Sequence, residues 1–150
     1  MPDKAFLDTN ILVYAFGLND PRKAIADDLI IGGGTVGVQT LNEFINVQRN
    51  KVRTPWSEII DRLRFIDKLC PPPVPVTLAV HHRGLEIAQA CGYHIYDSLM
   101  LAAALEASCT VFYSEDMHDG HVIDTLTIRN PFHRQPRANS PKLSQRGRSQ

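Results

Sequence analysis

The sequence predicts an α/β domain with a parallel sheet, and three observations carry that reading. Apolar strands of four or five residues alternate with longer stretches of helical periodicity, the pattern of βαβ units. The 150 residues are 43% hydrophobic and 21% charged, which suits one globular domain with a real core. Two of the strands run directly into an acid, and in parallel sheets the ligand site lies beyond the carboxyl ends of the strands.

Residues 4–7 (Lys-Ala-Phe-Leu) read as a short buried strand that ends at Asp8-Thr9-Asn10. The apolar run 11–16 gives a first helical turn or two. Asn19-Asp20-Pro21 is a start signal, an Asx cap followed by an early proline. That helix carries Ala24, Ile25, Leu29 and Ile30 and stops at Gly32-Gly33-Gly34. Residues 35–38 form a second strand, followed by an amphipathic helix with Leu41, Phe44, Ile45 and Gln48 on one face. Thr54-Pro55-Trp56 opens the next helix, which buries Ile59, Ile60, Leu63, Ile66 and Leu69 and ends at Pro71-Pro72-Pro73. Residues 74–76 offer a third strand. A helix over 78–90 closes at Gly92, and a strongly apolar helix runs from Tyr96 to Ala107. Residues 110–114 form a β-rich strand that leads into Glu115-Asp116, and 126–129 form the last strand.

The net charge of zero hides an asymmetry. All 16 acids lie within residues 1–133 beside only 11 of the 16 Lys/Arg, leaving that part at −5. The five other cations lie in 134–150, where there is no acid. We therefore divide the chain into a domain over 1–133 and a basic, disordered tail over 134–150. An acidic body does not grip nucleic acid by bulk charge, but it suits carboxylates gathered around a cation. The longest apolar run, 99–105, is too short for a bilayer, and no secretory signal opens the chain. Cys70, Cys91 and Cys109 are an odd number without CxxC spacing, so a reducing cytoplasm is the expected setting.

Four acids stand where an α/β pocket forms. Asp8 and Asp116 follow strands, Asp97 heads the buried helix, and Glu43 lies on the helix after the second strand, away from its apolar face. Each has an ordinary reading alone: an Asx turn for Asp8, an N-cap for Asp97, solvated surface for Glu43 and Asp116. Together they repel one another, and a site that clusters carboxylates usually holds a divalent cation.

These residues carry a family resemblance. Leu7-Asp8-Thr9-Asn10-Ile11-Leu12, Leu41-Asn42-Glu43-Phe44, Tyr96-Asp97-Ser98-Leu99-Met100-Leu101 and Ser114-Glu115-Asp116-Met117 followed by Gly120 resemble, in order, the four motifs of the PIN domain. The match spans residues 4 to about 130, and the best fit is to the VapC-type toxins of bacterial toxin–antitoxin pairs. The resemblance implies a three-layer α/β/α sandwich with a central parallel sheet, and a metal-dependent ribonuclease using Mg²⁺ or Mn²⁺. Carried over by position, Asp8, Glu43, Asp97 and Asp116 form the catalytic metal site, with Asp119 as an alternative or additional fourth ligand. Thr9 or Ser114 orients a carboxylate or a water through its hydroxyl. A divalent ion among carboxylates lowers the pKa of water and neutralises the scissile phosphate. The family also implies an RNA substrate, a cognate antitoxin that blocks the acidic pocket, and a homodimer.

Other signals are weaker. His118 and His121 lack the further soft ligands of a zinc site. His81 and His82 are helix neighbours that diverge, Gly32–Gly34 lacks the Lys-Ser/Thr of a phosphate loop, and Cys91 reads as a small buried residue. A haloacid-dehalogenase-like phosphatase needs a second Asp where Asn10 stands. A scaffold or RNA-binding module of the same fold, without turnover, is the alternative from a different functional class.

Overall fold

The structure is a computed structural model and describes residues 3–132. The expected tail over 134–150 lies outside the described residues. Six helices and four strands follow one another: β1 (Ala5–Leu7), α1 (Thr9–Ala15), α2 (Lys23–Ile31), α3 (Val38–Val47), α4 (Trp56–Leu69), α5 (Leu78–Cys91), α6 (Ile95–Glu106), β2 (Val111–Tyr113), β3 (Val122–Ile123) and β4 (Leu126–Arg129). A π-helical stretch, Gln48–Val52, extends α3 before the chain turns into α4.

The sheet order is β1-β2-β4-β3. β1 pairs parallel with β2 and β2 parallel with β4, while β3 pairs antiparallel with β4. The sheet is therefore mixed, where the sequence predicts a parallel one. The cause is a tight return between β3 and β4, with Asp124 at φ 51°, and a hairpin this short admits only an antiparallel partner. The strands expected at 35–38 and 74–76 stand in the right places but shrink to isolated bridges, Phe6 to Thr35 and Gly37 to Val74, both parallel. Leu7 N–H donates to the Thr35 carbonyl at 2.9 Å and Val74 N–H to that of Val36 at 3.0 Å, so the ladder continues past β1 without full strands.

Alternation along β1 separates two cores. Phe6 faces one side, stacks on Phe112 at 5.3 Å between centroids, and packs with Val80 and Ile87 of α5 and Met100 and Leu101 of α6. Leu7 faces the other, with Ile11 and Leu12 of α1, Ile30 of α2, Phe44 of α3 and Ile66 of α4. The result is the three-layer sandwich, α5–α6 over the sheet over α1–α4. The α5–α6 pair is close enough to need a glycine. A Cβ on Gly84 would lie 2.7 Å from Leu99 Cδ2.

Among the described residues no helix is long and apolar enough to cross a membrane.

Candidate active site

β1 and β2 lie side by side with their carboxyl ends together, and the chain leaves both ends through polar residues. Asp8 N–H continues the ladder by donating to the Tyr113 carbonyl at 3.0 Å. Its side chain turns back to cap α1, accepting the Thr9 N–H on Oδ1 at 2.7 Å. The Ser114 hydroxyl donates to Oδ2 at 2.7 Å. Ser114 Oγ also accepts the N–H groups of Asp116 and Met117, at 3.2 and 3.3 Å. One hydroxyl thus ties the acid after β1 to the loop after β2.

Asp8 is only 5% exposed. Burial pushes its carboxyl up to about 7, Ser114 and Thr9 work against that rise, and the charges of Asp97 and Asp116 add to it. Asp97 lies in the first turn of α6, but the cap of that helix is His94, whose Nδ1 accepts the Tyr96 N–H at 3.2 Å. Asp97 is therefore not spent on capping. Burial raises its pKa, with His94 opposing and Asp116 adding to the rise. Glu43, half-buried on α3, accepts the Gln39 side-chain amide at 3.1 Å. Burial raises its pKa too, Gln39 opposes most strongly, Asp97 adds to the rise and His94 lowers it. Asp116 is exposed, and Asn10 Nδ2 donates to its Oδ2 at 2.5 Å.

The four expected acids form one chain of repulsion: Glu43 feels Asp97, Asp97 feels Asp116, and Asp8 feels both Asp97 and Asp116. His94 acts on both Glu43 and Asp97 and lowers the pKa of each. Among the described residues no three His, Cys, Asp or Glu side chains converge into a ready-made metal cage. The acids share a field rather than a single coordination point. Their chemistry nonetheless fits a hard divalent ion: every donor is a carboxylate oxygen, and His94 offsets their mutual charge only in part.

Two further residues of the expected set have partners of their own. The Thr9 hydroxyl points into the core, 3.8 Å from Met100 Sδ, and it is the Thr9 backbone that holds Asp8. Asp119 accepts the Asn130 N–H at 2.9 Å and lines a separate hollow with Asp3, Tyr113 and Arg129.

Sequence reasoning misses three contributors. Asn10 holds Asp116, and its position two residues after Asp8, at the start of α1, is the available signal. His94 lies close enough to Asp97 and Glu43 to lower the pKa of both. Glu115 accepts from Tyr14 OH and, at 3.0 Å, from Arg22, whose guanidinium also grips Asp20 at 3.0 Å and lies 3.7 Å from the Tyr14 ring centroid. This clasp fixes the loop bearing Asp116 to the corner between α1 and α2.

A family model of the PIN domain matches residues 5–118. The chain belongs to the PIN domain family. Its fold recurs in solved structures of toxins and toxin–antitoxin complexes. A toxin–antitoxin complex from Klebsiella pneumoniae superposes at TM-score 0.63 and 17% identity over 85% of this chain and 98% of that one. VapC20 of Mycobacterium tuberculosis, described as a toxin that cleaves the sarcin–ricin loop, gives 0.60 and 15% over 75% and 92%. VapBC2 of Rickettsia felis, bound to a DNA fragment from its promoter, gives 0.59 and 16% over 84% and 97%. No curated protein matches the chain. Within this PIN domain the four acids occupy the carboxyl-terminal edge of the sheet and the two helices beside it.

Proposed function

We propose that this PIN domain is a metal-dependent endoribonuclease and the toxin of a toxin–antitoxin pair. The observation that carries the reading is the placement of Asp8 and Asp116 just beyond the carboxyl ends of β1 and β2, tied through Ser114, with Asp97 in the first turn of α6 and Glu43 on α3. A protein gains nothing in stability from such a group. The solved neighbours that are toxins or toxin–antitoxin complexes support the same direction.

Asp8, Glu43, Asp97 and Asp116 would hold Mg²⁺ or Mn²⁺. A divalent ion there supplies Lewis acidity toward water and charge neutralisation for the scissile phosphate. The remaining work belongs to the chain. Ser114 and the Thr9 N–H fix the two oxygens of Asp8, and Asn10 orients Asp116. His94 reduces the charge that an approaching phosphate meets at Asp97 and Glu43. We place the nuclease in residues 1–133, with 134–150 as a basic tail outside it, acting in the cytoplasm. Its partners would be RNA, a cognate antitoxin and a second copy of the chain.

The test is cleavage of a mixed RNA pool by purified protein with Mg²⁺ or Mn²⁺, with EDTA, and with Asp8→Asn. The expected result is metal-dependent cleavage lost in both controls. Cleavage that survives Asp8→Asn would overturn the site, and Mn²⁺ binding without cleavage of any RNA would favour the non-catalytic binding module.

A further inference from the structure

We propose that the corner between α3 and α4 is a platform for an unpaired RNA base and its flanking phosphates, with Trp56 as the stacking surface. This rests on the ribonuclease reading and names where its substrate strand runs.

The corner is a built feature. Its π-helical stretch ends with Arg53 in the left-handed region at φ 63°, a conformation uncommon for a residue with a side chain. A buried polar latch holds it there. Gln48 is 1% exposed, and its Oε1 accepts the Thr54 hydroxyl at 3.1 Å and Arg62, while its carbonyl accepts the Thr54 N–H at 2.8 Å. π-Helical turns are found frequently at functional sites.

What the latch presents is cationic and aromatic. Five of the eleven Lys/Arg in residues 1–133 fall between 49 and 64, beside two acids, in a body whose net charge is −5. RNA phosphates are repelled over most of this surface and attracted here. Trp56 is 53% exposed at the start of α4. Arg49 lies over its ring, Cζ 4.8 Å from the centroid, and is itself anchored to the Thr54 carbonyl at 3.2 Å. Asn42, Asn46 and Asn50 line the hollow beside the indole. Asn50 donates its side-chain amide to Asn46 Oδ1, and the pair and Asn42 keep further donors and acceptors of the kind the edge of an unpaired base requires. The hollow runs about 12 Å, from Asn42, the residue before Glu43 in the chain, to Asn50 at 1.5 Å per residue. A strand bound there leads into the acidic field.

Trp56 is the only tryptophan in the chain, so its fluorescence reports the contact directly. The full-length protein in EDTA is titrated with a labelled 12-nucleotide uridine RNA, following label anisotropy and tryptophan emission together. Emission is expected to quench in step with binding, and Trp56→Ala to weaken affinity about tenfold while Trp56→Phe keeps most of it. The double variant Lys51→Ala, Arg53→Ala should lower the salt slope by about 1.4. RNA that binds without changing emission, or equally well to Trp56→Ala, overturns the platform and leaves the nuclease untouched. A rise in sedimenting mass that depends on Trp56 without RNA overturns it too, because the face then belongs to a second copy of the chain. Failure of metal-dependent cleavage alongside normal quenching would instead remove the nuclease reading alone.

Discussion

Replacing Asp8 by Asn should make the metal-free protein more stable at pH 8. Burial, Asp97 and Asp116 push the Asp8 carboxyl from 3.8 to about 7 despite two good hydrogen bonds. The native state therefore holds this proton more tightly than the unfolded chain does. Its contribution to stability is present in full below pH 4, falls as pH rises to 7, and stays lost above that. The rise corresponds to about 4 kcal/mol at 1.36 kcal/mol per pKa unit. Asn is close in shape to the protonated acid and carries no charge to bury, but one of its two contacts meets a mismatched group, at about 1–2 kcal/mol. The net gain at pH 8 is then about 2–3 kcal/mol, or roughly 6–12 °C in melting temperature for a domain of this size. Thermal unfolding in EDTA at pH 5 and pH 8 measures it: the wild type should lose stability between the two and the variant much less. Adding Mn²⁺ at pH 8 should reverse the order, since an ion that binds only the native wild type stabilises it by mass action. A variant no more stable than wild type at pH 8 in EDTA would refute the claim that Asp8 is a charge held at a cost.

The other expectations concern the same neighbourhood and its support. Asn10→Ala, which frees the Asp116 carboxylate, should weaken Mn²⁺ binding about tenfold by calorimetry, whereas Asp119→Asn should leave it unchanged because that acid serves Asn130. Ser114→Ala removes the donor to Asp8 and the acceptor for two N–H groups. It should raise the Asp8 pKa further, read by carboxyl NMR, and cost about 1–3 kcal/mol of stability. Arg22→Ala opens the clasp on Glu115 and should reduce cleavage while shifting denaturant stability by under about 1 kcal/mol, since the side chain is partly solvated. Gly84→Ala drives a methyl into Leu99 and should cost about 1–3 kcal/mol in urea unfolding, with metal affinity kept.

Asp8 and Asp116 are legible in the sequence because an apolar strand points at each, and strand ends are where an α/β sheet gathers ligands. Glu43 is legible because an amphipathic helix shows which side chains leave its apolar face. The losses have definite causes. Val122–Ile123 is too short to show any period, so the antiparallel edge goes unseen, and 35–38 keeps strand hydrogen bonds with too few residues to count as a strand. Gln48 reads as a polar residue on the apolar face, and only its three-way latch with Thr54 and Arg62 explains its burial. The Thr9 hydroxyl meets Met100, 91 residues away, a contact that no local sequence pattern announces.

The two acids bridged by Ser114 come from opposite ends of the chain. Asp8 accepts a hydrogen bond from a residue 106 positions later, and β1 has no neighbour in the sheet's centre until β2 exists. Contacts of such long sequence separation form late and make folding slow. A ribosome that has made the first hundred residues has made Asp8, Glu43 and Asp97 but not the strand that brings them to Asp116. The acids are thus gathered only after β2 has been made, when synthesis of the domain is nearly complete.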